Sequence, residues 1–332
     1  MKIGILGAGS WGTTLALVCN DNKLQTTVWS YKQSQIDEIL ETRKNIPFTE
    51  DVIIPSEINF SADLEKVIFE NDIIVTAIPA QKLRSVLEKI KNINLQSKIF
   101  CNVSKGIEIE SLMTMSEVMM DVLKNANKNN LAILSGPSHA EEVWRKMPTT
   151  VVASSYSIET SKKLSQVFSN SYFRVYQSED IRGVELGGAL KNIIAIGSGI
   201  IDGAGFGDNT KAAIITRGMI EMSRLGVKLG ANEKTFSGLS GIGDLIVTCM
   251  SKFSRNRFVG EELGKGKKLN QILSEMKMVA EGVPTTKAVH SLLSKFQIEM
   301  PIFSEVYKVL FEEKDPIKST KELMTRELRE EH

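Results

Sequence analysis

The hexapeptide GAGSWG at residues 7–12 constrains the fold more than any other part of the sequence. It follows the apolar run Ile3–Leu6 and precedes a second apolar stretch, so it predicts a turn between a buried strand and a helix. Gly7 would permit the tight turn, Gly9 would let a dinucleotide diphosphate approach the backbone, and Gly12 would let helix and strand pack closely. The helix N-terminus would add free N–H groups and a partial positive charge. The alternative interpretation is an ordinary strand–helix turn.

The first half of the chain alternates between short apolar runs and helical patterns. The runs are Ile3–Leu6, Thr26–Ser30, Ile73–Ile78, Lys98–Val103, Leu131–Leu134, Thr150–Ala153 and Phe173–Tyr176. Apolar stripes at helical spacing lie between some of them, at Leu83, Val86, Leu87 and Ile90, and at Met115, Val118, Met119 and Val122. Most of the runs are too short for helices and rich in Val and Ile, so they predict buried strands. The alternation predicts an α/β fold with a Rossmann-type, mostly parallel sheet covered by helices.

The second half has a different periodicity. The whole chain has 332 residues, which allows about two domains of ~150 residues. Strand patterns stop near residue 178, and long helical patterns such as 212–222 and 305–312 follow. We therefore expect a dinucleotide-binding domain at residues 1–180 and an all-helical domain at 181–332, with the boundary near 178–182. The charged segment 318–332 predicts a solvated terminal helix.

The composition limits the classes of partner and the cellular location that we expect for this chain. The 41 basic and 40 acidic side chains give a net charge of +1, which does not favour a nucleic-acid or membrane-surface partner. The three cysteines are not at CxxC spacing and their number is odd, which favours a reducing, cytoplasmic location. Three scattered histidines predict no metal site. The longest apolar run, Ile193–Ile201, is shorter than the ~20 residues that span a bilayer.

The end of the second predicted strand bears on the choice of dinucleotide. The acidic residue that usually binds the ribose of NAD is missing after Trp29, where the chain reads Ser30-Tyr31-Lys32. A carboxylate would repel the 2′-phosphate of NADP, whereas Ser30 and Lys32 would not. The sequence therefore admits NADP as well as NAD, although Lys32 could equally be a solvated lysine at the start of a helix.

Three polar positions in the second half are candidates for chemistry. Lys191 lies in the apolar helical pattern LGGALKNIIAIG, where burial would lower its pKa toward that of a general acid or base; a snorkelling or ion-paired lysine is the alternative. Asp244 could orient this lysine or cap a helix. Arg255 could bind a phosphate through its planar guanidinium or be a surface arginine.

With these clusters, the chain closely resembles the bacterial type of NAD(P)-dependent glycerol-3-phosphate dehydrogenase. The resemblance runs almost end to end through GAGSWGTTLA, IPAQ, SKGIE, SGPS, VELGGALKNIIAIGSGIIDGAGFGDNTKAAIITRG, GLSGIGDLIVTCMSKFSRNRFVGEELGKG and VAEGVPTTKAV, in family order. It implies reversible reduction of dihydroxyacetone phosphate to sn-glycerol 3-phosphate with NADH or NADPH, which supplies glycerophospholipid synthesis. It also implies a homodimer formed through the helical domain.

The resemblance also implies roles for individual residues. Lys191 would exchange the proton at the C2 oxygen, and Asp244 would support it. The residues expected to bind substrate are Lys105, Gly136, Ser138, Lys191, Asn192, Asp244, Thr248, Ser254, Arg255 and Asn256. The residues expected to bind the dinucleotide are Gly7, Gly9, Ser10, Trp11, Gly12, Tyr31, Lys32, Lys105, Ala140, Arg255, Val279 and Glu281.

The chain departs from the family pattern at three places. Tyr31-Lys32 stands where the family usually has an arginine, Lys44-Asn45-Ile46-Pro47-Phe48 replaces a common Lys-Tyr-Leu-Pro-Gly segment, and His139 stands where an aromatic residue often precedes Ala140. We expect His139 to pack beside the cofactor without a catalytic role. Two rival functions remain, a two-domain dehydrogenase of hydroxyacids or sugar acids and a non-catalytic dinucleotide sensor.

Overall fold

A computed structural model describes residues 1–46, 48–49, 51–328 and 330. In this part of the chain the strands are β1 Lys2–Leu6, β2 Gln25–Trp29, β3 Ile58–Ser61, β4 Ile73–Thr76, β5 Ile99–Asn102, β6 Leu131–Ser135, β7 Thr149–Ser155 and β8 Phe173–Ser178. All seven predicted strands are present. The prediction missed β3, a four-residue strand at the edge of the sheet.

The helices that accompany the sheet are α1 Ser10–Asp21, α2 Gln33–Thr42, α3 Leu64–Glu70, α4 Ala80–Leu87, α5 Met115–Val122, α6 Ala140–Val143 and α7 Ile158–Phe168. The helices that follow the sheet are α8 Ile181–Gly203, α9 Asp208–Lys228, α10 Glu233–Phe236, α11 Asp244–Met250, α12 Arg255–Gly264, α13 Leu269–Glu275, α14 Gly282–Phe296, α15 Pro301–Phe311 and α16 Pro316–Met324. A π-helical turn, Leu239–Gly243, leads into α11.

The sheet has eight strands in the order β3-β2-β1-β4-β5-β6-β7-β8. Neighbouring strands are parallel except for the antiparallel pair β6–β7. The first six strands therefore have the 3-2-1-4-5-6 order of the dinucleotide-binding fold, and the chain reverses its direction across the sheet between β1 and β4. In such sheets, ligands bind at this point beyond the carboxyl ends of the strands.

Both faces of the sheet are covered. Apolar side chains of α1, α2, α6 and α7 pack on one face, and those of α3, α4 and α5 pack on the other. These two layers account for the continuous apolar character of strands such as β4 and β6, in which every residue is buried.

The second half of the chain is helical, as predicted, with no strand among its described residues after β8. Its core surrounds α8, where residues 183–201 are all buried. Helix α8 is long and apolar enough to cross a membrane, but its most apolar window is fully buried in the protein, so α8 is the central helix of the apolar core of this half. The terminal helix predicted over 318–332 is present only in part: α16 ends at Met324, and residues 325–328 and 330 are not helical. Residues 329, 331 and 332 lie outside the described residues.

Candidate active site

The glycine-rich loop joins β1 to α1 at the carboxyl edge of the sheet. Gly7 has a φ of +118°, and a Cβ atom there would lie 2.4 Å from the Ala77 carbonyl oxygen. A Cβ atom on Gly12 would lie 1.9 Å from the Gly7 carbonyl oxygen, whereas a Cβ atom on Gly9 would meet nothing within 4 Å. Gly7 and Gly12 are therefore required by the turn and by close packing, as predicted, and Gly9 leaves open space above the N-terminus of α1.

A side-chain network that the sequence did not reveal holds this loop. The Ala8 carbonyl oxygen accepts hydrogen bonds from Gln35 Nε2 at 2.8 Å and from Asn45 Nδ2 at 3.0 Å. Asn45 Nδ2 also donates to Thr13 Oγ1 at 2.7 Å. Asn45 belongs to the segment that departs from the family pattern, of which Pro47 lies outside the described residues. Its amide anchors the loop from a distant part of the chain.

The end of β2 separates the roles of three neighbouring residues. Ser30 is buried, and its hydroxyl donates to Gln35 Oε1 at 2.7 Å, so its proton is already used. Tyr31 is 72% exposed, and Lys32 is also exposed, with its ammonium 5.5 Å from the centre of the Tyr31 ring. Ser30 and Lys32 are the two residues that would tolerate a 2′-phosphate. Of these, the Lys32 ammonium faces solvent and has no hydrogen bond or ion pair among the described residues.

Two glycines of α8 let other segments approach the residues around Lys191. A Cβ atom on Gly187 would lie 2.3 Å from the carbonyl oxygen of Ser240, in the π-helical turn. A Cβ atom on Gly188 would lie 2.7 Å from Ser135 Oγ and 3.3 Å from the Lys105 side chain. The LGGALK pattern therefore provides contact surfaces for β6, for the loop after β5 and for the turn before α11.

Lys191 is buried, with 5% of its surface exposed, and it does not snorkel to solvent. Its ammonium group forms an ion pair with Asp244 Oδ1 and donates to Thr248 Oγ1 at 2.5 Å. Asp244 is the first residue of α11, and Gly243, not Asp244, is the capping residue. Of the two interpretations of Asp244, orientation of the lysine is therefore the one that the geometry supports.

Asp244 binds a second ammonium group. Lys105 Nζ lies 2.7 Å from Asp244 Oδ2 and donates to the Gly136 carbonyl oxygen at 2.9 Å. Gly136 has a φ of +144° and its carbonyl oxygen also accepts a bond from Ser138 Oγ at 3.0 Å. Residues after β5, after β6 and on α11 thus converge on Lys191.

The ionisation of these groups follows from their surroundings. Burial lowers the pKa of Lys191 to about 7, against the attraction of Asp244 and with help from the nearby charge of Lys105. Burial alone would raise the pKa of Asp244, but the two lysines hold it below its usual value. Burial also lowers the pKa of His139 to about 4, and the charge of Lys191 adds to this effect. Near neutral pH, Lys191 can therefore both give and accept a proton.

A chain of amide groups joins Lys191 to the start of α12. Asn192 Nδ2 donates to the Lys105 carbonyl oxygen at 3.1 Å, and Asn256 Nδ2 donates to Asn192 Oδ1 at 2.9 Å. Ser254 caps α12 by accepting a bond from the Arg257 backbone N–H at 3.2 Å. Arg255, between these two residues, is exposed, and it makes no hydrogen bond or ion pair within the ranges that the structure describes.

The remaining predicted cofactor residues lie around the same edge. Ser10 and Trp11 begin α1, and Ala140 begins α6. Val279 is 48% exposed in the segment before α14. Glu281 Oε1 accepts a bond from the Ala80 backbone N–H at 3.0 Å, whereas its Oε2 is buried without a hydrogen-bond partner.

His139 precedes α6 and contacts the ring of Phe253, with 6.0 Å between the ring centres. Its Nε2 lies 3.5 Å from the Val247 carbonyl oxygen. The packing of His139 beside a cofactor stays a prediction. Across the described ranges, no group of three or more His, Cys, Asp and Glu side chains is arranged to hold a metal ion.

This arrangement can bind an anion and move a proton beside a dinucleotide site. One buried carboxylate faces Lys105 and Lys191, and Arg255 on the adjoining helix lies near the carboxylate of Glu281. With Lys191 protonated, these cations therefore outnumber these carboxylates. Lys191 has three N–H donors and uses two of them for Asp244 and Thr248. The third remains for a substrate oxygen.

Comparison with known proteins agrees with this chemistry. Residues 2–161 match the family model "NAD-dependent glycerol-3-phosphate dehydrogenase N-terminus", and residues 180–321 match the corresponding C-terminus model. The glycerol-3-phosphate dehydrogenase [NAD(P)+] of Chlorobium phaeobacteroides is 50% identical over 100% of this chain and 99% of its own length. That of Thermoanaerobacter sp. is 48% identical over 100% and 99%.

Solved structures give the same result. The glycerol-3-phosphate dehydrogenase of Coxiella burnetii has a TM-score of 0.93 at 35% identity and covers 98% of this chain and 99% of its own. A D-mandelate dehydrogenase has a TM-score of 0.60 at 16% identity over 94% and 98%, so it shares the fold alone. The chain therefore belongs to the NAD-dependent glycerol-3-phosphate dehydrogenase family.

Proposed function

We propose that this chain catalyses the reversible, NAD(P)H-dependent reduction of dihydroxyacetone phosphate to sn-glycerol 3-phosphate, with Lys191 as the proton donor. One observation carries the proposal. The Lys191 ammonium is buried between Asp244 and Thr248 at the carboxyl edge of a sheet that also presents the glycine-rich loop. The relatives named for this reaction match over the whole chain, and the product supplies glycerophospholipid synthesis.

The residues at the first loop suit a dinucleotide. The open space at Gly9 and the N-terminus of α1, which has no acidic residue in its first turn, suit a diphosphate. The unpartnered Glu281 Oε2 is an acceptor suited to a ligand hydroxyl or amide. Ser10, Trp11, Ala140 and Val279 complete the proposed contacts. When bound, the reduced nicotinamide supplies the hydride for C2 of the substrate.

Arg255 and Asn256 are proposed to bind the substrate phosphate at the N-terminus of α12. The free guanidinium can offer two parallel N–H groups to phosphate oxygens, and the helix dipole favours the same negative charge. Ser254 caps the same helix, and Asn256 is joined to Asn192, which in turn contacts the Lys105 backbone. Lys105, Gly136, Ser138 and Thr248 complete the proposed binding set from the Asp244 side of the site.

The proton step follows from the donors of Lys191. In the reduction, C2 gains a hydride and its oxygen takes a proton from the Lys191 ammonium, which leaves a neutral amine and a C2 hydroxyl. In the oxidation, the neutral amine removes that proton. Asp244 and Thr248 hold the Nζ atom in place, because each accepts one of its N–H groups.

We propose that residues 1–180 bind the dinucleotide and that residues 181–332 supply most of the groups that bind the substrate and transfer the proton. A hydroxyacid or sugar-acid dehydrogenase is not favoured, because the D-mandelate dehydrogenase shares only the fold with this chain. A non-catalytic sensor would not require a buried lysine that shares a carboxylate with a second lysine. The cytoplasmic location is supported by three free, buried cysteines, and the homodimer stays a prediction from the resemblance.

Replacement of Lys191 tests the proposal. Lys191→Met keeps the volume but removes the proton donor, so we expect kcat for dihydroxyacetone phosphate to fall by about 10²- to 10⁴-fold, with little change in the Kd for NADH. In the wild type, reduction should slow as pH rises through about 7 because the ammonium form is lost, and oxidation should accelerate.

A matched control is Lys98→Met. Lys98 donates to the carbonyl oxygens of Phe69 and Asn71 at the opposite, amino edge of the sheet, so its loss should leave kcat unchanged. Steady-state rates and fluorescence titration of NADH measure both variants. Near-normal turnover by Lys191→Met would disprove the assignment. Faster turnover of a 2-keto acid than of dihydroxyacetone phosphate would favour the rival dehydrogenase.

A further inference from the structure

The loop from Lys105 to Thr114, here called the strap, connects the two halves of the molecule. It follows β5 of the sheet and ends at the start of α5, a helix that packs on the sheet. Ile107 is fully buried in the apolar core of the helical half, and it forms an isolated β-bridge with Thr114. The strap therefore inserts into the helical half while both its ends belong to the sheet half.

Arg84, on α4, forms an ion pair with Glu108 in the middle of the strap. Its Nε atom lies 3.0 Å from both carboxylate oxygens of Glu108, and its Nη2 atom lies 2.9 Å from Glu108 Oε2. Its Nη1 atom bonds Asp121 on α5 at 2.5 Å. The Glu108 side chain is only 9% exposed. A planar guanidinium in this arrangement defines orientation as well as distance.

The conformation of the strap depends on such contacts. Leu112 has a φ of +60°, which is uncommon for a residue with a branched side chain. Gln81 Nε2 donates to the Ile107 carbonyl oxygen at 2.8 Å, and Gln81 Oε1 accepts from the Ile109 N–H at 3.1 Å. Backbone bonds within the strap, from the Leu112 N–H to the Glu108 carbonyl oxygen and from the Glu108 N–H to the Met113 carbonyl oxygen, close the turn around Leu112. The Gln81 bonds attach the strap to α4 just before this turn.

The first residue of the strap reaches the active site. Lys105 Nζ contacts Asp244 Oδ2 and the Gly136 carbonyl oxygen, and the Lys105 carbonyl oxygen accepts a bond from Asn192. Lys105 is three residues from Glu108, so the Arg84 contact and the active-site contacts lie within one short segment of the strap.

We propose that Arg84 is a positioning residue for catalysis, which fixes Lys105 on Asp244 through Glu108. Arg84 does not contact the proposed substrate residues; it acts through the strap. This inference rests on the proposed function of Lys191.

The expected consequence is electrostatic. Lys191 faces Asp244 and Cys249 from α11, Lys105 from the strap and His139 from the start of α6. The Lys105 ammonium binds the same Asp244 carboxylate as Lys191, and its positive charge repels the Lys191 ammonium. If Lys105 moves away, Asp244 attracts Lys191 alone, and the pKa of Lys191 rises.

The test is Arg84→Met, with Glu108→Gln as a second variant that nearly preserves shape. We expect kcat for glycerol 3-phosphate oxidation near pH 7 to fall about tenfold or more, because a higher Lys191 pKa leaves less of the neutral amine that accepts the proton. The Kd for NADH should change less, and the pH at which Lys191 loses its proton should rise in both variants. That pH is measured without cofactor, from the pH dependence of Lys191 acetylation by isotope-labelled acetic anhydride, quantified by mass spectrometry. The double variant should be no worse than the poorer single variant.

Arg326→Met is the control, because Arg326 pairs with Glu299 in the C-terminal segment and belongs to neither α4 nor the strap. It should leave both kcat and the Lys191 titration unchanged. Wild-type kcat in Arg84→Met, or a lower kcat with an unchanged Lys191 titration, would overturn the inference. Wild-type turnover that does not follow the Lys191 titration would instead overturn the proposed proton donor.

Discussion

Asp244 shares its two oxygens between two lysines, and this sharing sets the charge of the site. Oδ1 pairs with Lys191 and Oδ2 pairs with Lys105, so neither ammonium group has the carboxylate to itself. Burial then lowers the pKa of Lys191 to about 7, while Asp244 stays ionised. A substrate phosphate brings the negative charge that this group of side chains lacks.

Arg255→Ala should weaken phosphate binding. Hydrogen bonds to charged groups contribute about 1.5–3 kcal/mol, so the KM for dihydroxyacetone phosphate should rise about 10- to 100-fold. Arg255→Lys keeps the charge but loses the planar fork, and it should recover part of this loss. Steady-state kinetics with dihydroxyacetone phosphate and with dihydroxyacetone measure the effect. An equal effect on both compounds would contradict the assigned role, because the second compound has no phosphate.

Lys32→Glu should discriminate between the two dinucleotides. The exposed Lys32 ammonium follows β2, where a carboxylate would repel a 2′-phosphate. We expect the Kd for NADPH to rise about tenfold or more relative to that for NADH, from the Coulomb energy of a reversed charge at short range. Lys66→Glu, an exposed reversal on α3, is the control. Equal changes for NADH and NADPH in titrations at low salt would remove Lys32 from the 2′-phosphate site.

At the level of elements, glycines bring α8 and α12 into backbone contact. Cβ atoms on Gly199 and Gly203 would lie 2.0 Å from the carbonyl oxygens of Arg257 and Glu261. A Cβ atom on Gly260 would lie 1.9 Å from the Ile196 carbonyl oxygen. This close packing of glycines fixes the position of α12 along the axis of α8. It thereby holds Asn256 beside Asn192.

The glycine-rich loop offers a paired test in which one substitution should lower stability and the other should weaken NADH binding. Gly12→Ala places a methyl group 1.9 Å from a backbone oxygen, so it should cost about 1–3 kcal/mol of stability. Gly9 has an ordinary φ of −87° and open space around it, so Gly9→Ala should leave Tm unchanged. Its methyl group would nevertheless occupy the proposed diphosphate position, and the Kd for NADH should rise about tenfold or more.

Thermal unfolding followed by calorimetry and NADH titration measures both glycine variants. An unchanged Tm for Gly12→Ala would show that the loop can relax away from the helix. Unchanged NADH affinity in Gly9→Ala would show that the diphosphate does not lie against this backbone.

The elements were predictable where their patterns were long or continuous. Seven strands followed from apolar runs, but β3 did not, because its four residues INFS at the sheet edge have one fully buried side chain, Ile58. The reversal of β7 relative to β6 was also beyond the sequence, since periodicity reports which face a residue occupies and not the direction of the strand.

At the scale of the whole molecule, the site could be predicted only in part. The apolar surroundings of Lys191 indicated that it is not wholly solvated but left burial, snorkelling and ion pairing open, and the structure shows a buried, ion-paired lysine. Lys105 and Asp244 lie 139 residues apart, and no local pattern predicts that they meet. The resemblance assigned them to one site. The Arg84–Glu108 fork and the contacts of Asn45 had no separate signal, because single charged and amide residues are common on solvated faces.

Buried carboxylates should make the stability of the whole molecule depend on pH. Glu221, on α9, is 6% exposed and accepts bonds from the backbone N–H groups of Ile302 and Phe303 at the start of α15. Burial raises its pKa from 4.5 to about 7. Between these values the folded protein binds more protons at this group than the unfolded chain does. The contribution of Glu221 to stability is therefore fully present below pH 4.5 and is lost as pH rises to 7, by about 3 kcal/mol.

Glu221→Gln removes the titration, so the difference in Tm between wild type and variant should depend on pH. It should favour the wild type most near pH 5 and shift toward the variant by pH 8, because the wild type must then bury a charged carboxylate. Calorimetry at constant ionic strength measures the difference, and Glu159→Gln, which changes an exposed side chain, should give one that varies little with pH. A pH-independent difference for Glu221→Gln would mean that this carboxyl group is equally ionised in the folded and unfolded states, and that the contact between α9 and α15 does not couple protons to folding.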